Sequence, residues 1–315
     1  MAGAELKADL WITEYITPWD IYVHGVTETL AYQKTPYQEM YIVESGAYGK
    51  GLVLDGKWQS STVDEYLYHE ALVHPAMIAH GNPKKVLVLG GGEGATLREV
   101  LRWHSVEKVK MVDIDGDVVA ACQEYLPEMH AGAFDDPRTE LVIGDALAVL
   151  DESDAEWDVV ISDLSDPIEE GPSFKLFTKE FYAKVNQILA PNGKFVLQAG
   201  PVADPYIATH ARLVNTLKTV FPENVSYTTF VPTYGEPWSL TLSSHTPLDT
   251  RPEPEAIDQL LEAKTTGGLR LIDGITVLGL LQTPAYIRRA IAQHQEIFTL
   301  AEPPQFFGKG VAESA

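Results

Sequence analysis

The feature that most constrains the fold is an alternation of strand-like and helix-like patterns that begins near residue 84. The stretches "KKVLVLG", "VEKVKMVDID", "TELVIGDA", "EWDVVISDL" and "GKFVLQAG" have strand patterns, and helix-type stretches separate most of them. Continuous apolar strands that alternate with helices indicate a parallel sheet covered on both faces. We therefore predict a doubly wound α/β domain that binds its ligands at the carboxyl ends of the strands. The stretches "VSYTTFVPTY" and "WSLTLSSH" should add a terminal strand pair.

The residues before this region have a different pattern. Short β-branched and aromatic runs predict a small antiparallel β-domain over residues 1–61. The motif "TVDE" predicts a capping box, in which Thr62 caps a helix and Glu65 reaches back to it. Pro75 should kink or divide that helix. The α/β domain then covers residues 62–247, and residues 248–315 form an extension with two helical stretches and a tail rich in Gly and Pro.

The composition limits the possible partners. With 45 acidic and 23 basic residues the net charge is −22, which repels nucleic acid and anionic membranes and attracts cations. The single cysteine, Cys122, excludes an intramolecular disulfide and a cysteine-rich zinc site, and we expect it on a buried helix face. We expect no metal site. The sequence has no signal-peptide pattern and no apolar run near the roughly 18 residues of a membrane span, so we expect a cytoplasmic protein.

Carboxylates follow three successive parallel strands at the edge where ligands bind. These residues are Asp113, Asp145 and Asp163, with Asp166 one turn beyond the last. The loop after the first strand, "GGGEGA" from Gly90 to Ala95, adds Glu93. Such a loop by itself is compatible with NAD, FAD or S-adenosyl compounds. Asp113 lies about 20 residues beyond the glycines, where a carboxylate binds ribose hydroxyls, and Asp145 could bind an adenine amino group. Asp115 should cap the next helix.

This distribution of carboxylates argues against a phosphate ligand. Glu93 would repel a pyrophosphate, and no Lys or Arg lies near it in the sequence. A nucleoside that carries positive charge, such as an S-adenosyl sulfonium, fits better, and an amine fits beside it. Glu93 would also repel the carboxylate of S-adenosylmethionine, whereas the decarboxylated form offers only an ammonium group. The alternative is that Glu93 only starts the helix and interacts with its dipole.

Several long motifs in this order resemble those of the polyamine aminopropyltransferases, the spermidine synthase family. They are "GKGLVLDGKWQSSTVDEYLYHE", "VLVLGGGEGATLREVL", "VDIDGDVV", "GDA", "DLSDP", "LFTKEFY", "LQAG" and "PTYGEPWSLTL", from about residue 37 to 245. The resemblance implies a Rossmann-like, methyltransferase-type domain behind the β-domain, and a homodimer or homotetramer. It also implies transfer of an aminopropyl group from decarboxylated S-adenosylmethionine, a co-substrate rather than a cofactor, to putrescine or a related amine, with release of methylthioadenosine.

The resemblance assigns roles to residues at matching positions. It implies that the donor is held by Gln38, Gln59, Gly90, Gly92, Glu93, Gly94, Asp113, Asp145 and Ala146. It implies that the acceptor is held by Tyr68, His69, Asp163, Asp166, Gln198, Tyr234 and Trp238. Asp163 matches the catalytic acid–base position, Asp166 a carboxylate that binds the acceptor, and Tyr68 a hydroxyl that orients the amine. Residues 169–177 match a loop that closes over the site.

The sequence departs from the family pattern in three places. Glu93 stands where many members have Asp, and some thermospermine-type members share this change. His69 stands where Gln is frequent. The motif "LQAGP" lacks the acid that follows "QG" in many spermidine synthases. The sequence therefore does not decide whether the enzyme strictly prefers putrescine. The alternative is a longer acceptor, as in spermine, thermospermine or aminopropylagmatine synthases.

The chemistry of the reaction explains why two aspartates would be needed. The sulfonium departs as a neutral group, but an amine with a pKa near 10.4 is almost entirely protonated at neutral pH. Asp163 would accept the proton and Asp166 would anchor the cation. The alternative is that "DLSDP" is an ordinary turn, in which Asp166 is a cap and has no part in the chemistry. Other hypotheses are an amine N-methyltransferase, a nicotinamide oxidoreductase and a polyamine-binding protein without activity.

Overall fold

The computed structural model describes residues 8, 10–151, 156–167 and 173–305, together with the backbone of 311–314. The strands are β1 Leu10–Thr17, β2 Asp20–Val26, β3 Glu28–Lys34, β4 Glu39–Ser45, β5 Gly49–Leu54, β6 Lys57–Ser61, β7 Lys85–Gly90, β8 Lys108–Asp113, β9 Thr139–Ile143, β10 Trp157–Asp163, β11 Leu189–Pro201, β12 Glu223–Phe230, β13 Pro237–Ser244 and β14 Val311–Ser314. The helices are α1 Tyr66–His80, α2 Ala95–Leu101, α3 Gly116–Tyr125, α4 Pro127–His130, α5 Ala146–Asp151, α6 Lys179–Ile188, α7 Ile207–Lys218, α8 Pro254–Lys264, α9 Gly274–Leu280 and α10 Ala285–Gln293.

A seven-stranded sheet forms the centre of the molecule, with strand order β12-β13-β11-β10-β7-β8-β9. The five strands from β11 to β9 in this order run parallel to their neighbours, and β13 pairs antiparallel with both β11 and β12. The predicted doubly wound sheet and its terminal strand pair are therefore confirmed. The carboxyl ends of β7, β8 and β10 meet at one edge of the sheet.

Both faces of the central sheet are covered, as the continuous apolar strands require. Along β7, Val86 and Val88 pack into a core with α1, α2, α8 and α9, while Leu87 and Leu89 pack into a second core with α6 and α7. Alternate side chains of one strand point to opposite faces, so a strand buried on both sides is apolar throughout.

The N-terminal region forms two small antiparallel sheets. Strands β3 to β6 form one sheet, and β1 pairs with β2 in the other, where the backbone of β14 adds a third strand. One face of the β1–β2 hairpin is apolar but exposed: Tyr15 and Ile21 pair across it, Val23 lies on the same face, and Trp19 in the turn is 89% exposed. Cys122 is buried on α3, as predicted.

Helix α1 begins differently from the prediction. It starts at Tyr66 without a side-chain cap, so the expected capping box is wrong. Thr62 Oγ1 instead accepts a hydrogen bond from the Lys50 amide (3.1 Å), and the Glu65 carboxylate turns towards His69 and Arg98.

The same helix continues through Pro75 without division. Proline removes the amide that would bond to the carbonyl four residues earlier. That carbonyl, on Ala71, accepts a 3.0 Å hydrogen bond from the Tyr227 hydroxyl instead. A side chain from β12 therefore satisfies the backbone group that proline leaves free.

The described part of the C-terminal extension contains three helices, α8 to α10, rather than the two that the sequence suggested. One of its links to the core is Glu70, a buried side chain on α1 whose carboxylate accepts hydrogen bonds from the amides of Arg270, Leu271 and Ile272 at 2.8 to 3.1 Å. Within the described ranges no helix is both long and apolar enough to span a bilayer.

Candidate active site

A cavity of about 350 Å³ lies at the carboxyl ends of β7, β8 and β10, and residues from β1, β5 and β6 close its other side. The pairing of parallel strands brings residues that are distant in sequence to this one edge. Those that the sequence predicted and that line the cavity are Gln38, Gln59, Tyr68, Gly90, Gly92, Glu93, Asp113, Asp145, Ala146, Asp163, Asp166, Gln198, Tyr234 and Trp238.

The glycine loop lies directly against the end of β10. Gly90 pairs with Asp163 across the sheet, and the Gly91 amide donates a 2.9 Å hydrogen bond to the Asp163 carbonyl. Gly90 has φ +83°, and a Cβ there would lie 2.1 Å from that carbonyl oxygen. Only glycine allows this positive φ together with so close an approach.

The Asp163 carboxylate is held by two hydroxyl groups. Its Oδ1 accepts a 2.7 Å hydrogen bond from Tyr68 on α1, and its Oδ2 accepts a 2.6 Å bond from Thr96 on α2. Burial and the negative charge of Glu93 raise the pKa of Asp163, although the two hydroxyl bonds act to lower it. The carboxylate therefore has a fixed orientation and an increased affinity for a proton.

Glu93 belongs to a buried chain of alternating charges. His69, which is fully buried, lies between Glu93 Oε1 (3.1 Å from Nε2) and Glu65 Oε2 (2.9 Å from Nδ1). Arg98 then donates a 2.9 Å bond to the same Glu65 oxygen and a 2.8 Å bond to Glu99. This chain connects the cavity to the far side of α2.

The histidine in this chain is a cation. Burial acts to lower the pKa of His69, but the hydrogen bonds and charges of Glu65 and Glu93 raise it to about 10. Burial likewise acts to raise the pKa of Glu93, yet the hydrogen bond and the charge of His69 lower it below its usual value. Glu93 is thus ionised before any ligand binds.

Asp113 and Asp115 at the end of β8 have separate roles. Asp115 accepts hydrogen bonds from the amides of Asp117 and Val118, so the predicted cap of α3 is confirmed. Asp115 also accepts a 3.0 Å bond from Gln38, which joins the β-domain to this edge. Asp113 faces the cavity, and burial raises its pKa to about 6; the hydrogen bond from the Asp115 amide acts to lower that pKa, and the charges of Asp115 and Glu93 act to raise it.

The opposite end of the cavity is aromatic. The Tyr234 ring makes edge contacts with Tyr68 and Trp238, at centroid distances of 5.9 and 4.9 Å. Asp166 lies beside this group, where its Oδ1 accepts a 3.3 Å bond from Gln198. Burial raises the pKa of Asp166, while the charge of Lys57 and the Gln198 bond lower it.

Two of the expected binding residues do not line the cavity. His69 lies behind Glu93 and cannot contact an acceptor directly, because both of its ring nitrogens are occupied by carboxylates. Gly94 turns away from the cavity, since a Cβ there would meet Phe134 and His130 at 2.6 and 2.7 Å. The expected closing loop, 169–177, lies outside the described residues except for 173–177, where Phe174 and Lys175 line the cavity.

Other residues of the site were missed by the sequence analysis. They are Glu14, Lys57, Thr96, Tyr206 and Glu236. Only Thr96 had a usable signal, because it directly follows the glycine loop at the start of α2. The rest come from β1, β6 and two loops, and nothing in their local sequence connects them to the sheet edge.

The charge of the described lining residues is strongly negative, with seven carboxylates and two lysines. The carboxylates surround a confined and partly apolar space, where uncompensated charge is costly. A cationic ligand would offset that cost. The arrangement can therefore hold a positively charged molecule and accept a proton at Asp163.

Comparisons with known proteins agree with this geometry. Residues 65–251 match the model of the spermine/spermidine synthase domain, and residues 10–62 match that of the spermidine synthase tetramerisation domain. A polyamine aminopropyltransferase of Synechococcus sp. (strain JA-2-3B'a(2-13)) is 58% identical over 306 residues, which cover 95% of this chain and 98% of that protein.

A more distant relative has the same name, and a solved structure has the same fold. A polyamine aminopropyltransferase of Sulfurisphaera tokodaii is 39% identical, over 93% of this chain and 97% of that protein. The crystal structure of a spermidine synthase in complex with the transition state analogue AdoDATO superposes with a TM-score of 0.82 at 31% identity, over 90% of this chain and 95% of that one. The chain therefore belongs to the spermine/spermidine synthase family.

Proposed function

We propose that this enzyme transfers the aminopropyl group of decarboxylated S-adenosylmethionine to the primary amine of a polyamine-type acceptor and releases methylthioadenosine. The observation that carries the proposal is the Asp163 carboxylate, fixed by Tyr68 and Thr96 in a cavity that is lined mainly by acids. The family and its named aminopropyltransferase members support the reaction type.

In this proposal Asp163 is the proton acceptor. The amine attacks the carbon beside the sulfonium, the C–N bond forms as the C–S bond breaks, and the nitrogen loses one proton to the Asp163 carboxylate. The raised pKa of Asp163 supports this role, because a base works best when its pKa approaches the working pH. Tyr68 fixes the carboxylate, and Asp166 attracts the ammonium form of the acceptor.

The donor would occupy the part of the cavity next to β8. Asp113 and Gln38 would bind the ribose, and Asp145 with Ala146 the adenine, against the backbone of Gly90 and Gly92. Gln59 and Glu93 would lie along the aminopropyl chain. The cavity lining shared by these residues supports the assignment. Positioning amine and carbon in line contributes up to roughly 7 to 11 kcal/mol in such reactions.

Glu93 would select the donor. Because the charge of His69 keeps Glu93 ionised, a ligand carboxylate near it meets direct repulsion, whereas an ammonium group is attracted. His69 is then a positioning residue that acts through Glu93, and not a contact of the acceptor.

The direct test is incubation with decarboxylated S-adenosylmethionine and a series of amines, with products identified by mass. We expect methylthioadenosine and an aminopropylated amine. We expect S-adenosylmethionine to be used at least about tenfold less well, since like-charge contacts cost several kcal/mol. The absence of methylthioadenosine with every amine would refute the proposal.

Replacing Asp163 by Asn removes the proton acceptor but keeps the shape of the side chain. We expect kcat to fall by about 10² to 10⁴, the usual contribution of a general base. Binding of methylthioadenosine, measured by calorimetry, should be largely retained. Asp158→Asn is the matched control, because Asp158 starts the same strand and bonds to the Lys84 and Lys85 amides at its far end. Equal loss in both variants would contradict the assigned role.

Replacing His69 by Gln removes the cation that lowers the pKa of Glu93. We expect the pKa of Glu93 to rise, so that the acid limb of the pH profile of kcat/KM for the donor moves to higher pH. Discrimination against S-adenosylmethionine should weaken at the same time.

The matched control for this change is His74→Gln. His74 forms a similar buried pair with Glu99 (3.0 Å) but does not line the cavity. It should lower thermal stability without moving the pH profile. An unchanged profile in His69→Gln would show that Glu93 does not depend on His69.

We also propose that the protein assembles into a homotetramer, or at least a homodimer, through the exposed apolar face of the β1–β2 hairpin. The match of residues 10–62 to a tetramerisation domain supports this, as does the exposure of Ile21 (59%) and Trp19. We further propose that the domains divide at residues 61/62 and 247/248. A cytoplasmic location is also part of the proposal, and cell fractionation would test that location.

Light scattering should therefore report a mass above that of one chain. Ile21→Lys should shift the protein towards smaller species, because it places a charge in the centre of an apolar interface. Ile275→Lys is the control, since Ile275 is 72% exposed on α9, away from the hairpin. A monomeric wild-type protein would refute this assembly.

A further inference from the structure

Arg98 on α2 bridges two buried carboxylates and does not line the cavity. Its Nη2 donates to both oxygens of Glu65, at 3.1 and 2.9 Å, and its Nε donates a 2.8 Å bond to Glu99 Oε1. Its Nη1 donates a 2.6 Å bond to the Met129 carbonyl. All three nitrogens of the guanidinium group are therefore engaged, which a lysine could not reproduce.

The two buried histidines of α1 carry different charges, as their partners show. Both ring nitrogens of His69 face carboxylates, which only accept when ionised, so each nitrogen carries a proton and the ring is a cation. His74 Nδ1 instead accepts a 3.1 Å bond from Trp103 Nε1, a group that can only donate. The proton of His74 is therefore on Nε2, 3.0 Å from Glu99, and the ring is neutral.

Six ionised groups form one continuous chain from the cavity to the far side of α2, here called the buried ion network: Glu93, His69, Glu65, Arg98, Glu99 and Arg102. The last contact places Arg102 Nε 2.7 Å from Glu99 Oε2. Burial acts to raise the pKa of Glu99, but the His74 bond and the charges of Arg98 and Arg102 lower it to about 2. Three carboxylates thus face three cations, and the network is neutral. Buried charges are tolerated when they are paired in this way.

Only one member of the buried ion network, Glu93, lines the cavity. The titratable groups outside the network that interact with it are acids, phenols and a thiol: Asp113, Asp163, Tyr68, Tyr234 and Cys122. At the other end, Glu128 on α4 lies beside Arg98 but forms its own 2.9 Å pair with Lys50. The charge state of Glu93 is therefore governed by the positive charge inside the network.

We infer that Arg98 is a positioning residue for donor selection, which acts through Glu65 and His69 to keep Glu93 anionic at the cavity. Arg98 holds the Glu65 carboxylate against His69 and supplies the charge that balances it. Without Arg98, Glu65 and Glu93 would share one imidazolium, and the carboxylates of the network would bind a proton more readily. The inference rests on the proposed function, in which Glu93 selects decarboxylated S-adenosylmethionine.

The test measures the affinity of decarboxylated S-adenosylmethionine by calorimetry from acidic to neutral pH, without an acceptor. Affinity should fall on the acid side as Glu93 becomes protonated. Arg98→Gln should move this acid limb to higher pH by about one unit, the size expected for one charge removed from a protein interior near Glu93. At a pH between the two limbs, its preference over S-adenosylmethionine should fall by up to about tenfold.

Three further variants separate charge from shape. Glu65→Gln removes a negative charge and should move the limb to lower pH. The double variant Glu65→Gln/Arg98→Gln removes one charge of each sign, so its limb should return close to the wild-type position. Arg98→Lys keeps the charge and should keep the limb near that position. A purely structural role would instead weaken binding in both single variants and further in the double variant.

Arg138→Gln is the matched control. Arg138 pairs with Asp136 at 2.9 Å and donates a 3.0 Å bond to the Leu101 carbonyl at the end of α2, outside the buried ion network. This change should lower thermal stability without moving the acid limb. The inference is overturned if Arg98→Gln leaves the limb in place, or if the double variant fails to restore it.

The wild-type protein gives a second measurement, which holds even if a variant fails to fold. In ¹⁵N spectra at neutral pH we expect both ring nitrogens of His69 to be protonated and only Nε2 of His74. A neutral His69 or a charged His74 would contradict the charge balance and overturn the inference. Both measurements are independent of turnover. Absence of methylthioadenosine with every amine would refute the proposed reaction while leaving these results intact.

Discussion

The parallel pairing of β7 with β10 is the contact on which the site depends. It sets Gly90 beside Asp163, and the Gly91 amide bonds to the Asp163 carbonyl. The glycine loop and the Asp163 carboxylate, more than 70 residues apart in sequence, thus become one unit. Helix α2 starts from that loop and brings Thr96 to the same carboxylate. A shift in this register would separate Asp163 from both the glycine loop and its hydroxyl partners.

The acids of the site fall into two classes. Glu93 and Glu65 have their charge compensated inside the protein by His69 and Arg98, and the pKa of each is lowered despite burial. A second class has raised pKa values, and burial is the main cause for each: Asp113, Asp163, Asp166, Glu14 and Glu236. The first class has a fixed charge before binding. In the proposed reaction the second class would obtain its compensation from the substrates, so binding of cations and ionisation of the site would be thermodynamically linked.

The sequence allowed the sheet, its two covered faces and most of the cavity lining to be predicted, because strand ends in a parallel sheet share one edge. It could not give contacts that depend on tertiary packing. The carbonyl freed by Pro75 is satisfied by Tyr227, some 150 residues later, so the expected division of α1 does not occur. His69 looked like a binding residue, but two glutamates on different elements enclose it. Glu236 gave no local signal, since only the tertiary structure places its loop where two cavities meet.

Glu70 has a consequence for how the molecule unfolds. Glu70 follows His69 on α1, the helix that carries Tyr68. Its carboxylate accepts hydrogen bonds from the amides of residues 270–272. Loss of the C-terminal helices would leave this carboxylate buried without hydrogen bonds, at a cost of several kcal/mol. The extension and helix α1 should therefore lose their structure together, as one cooperative unit. The segment that looks most like an appendage is then a condition for an ordered active site.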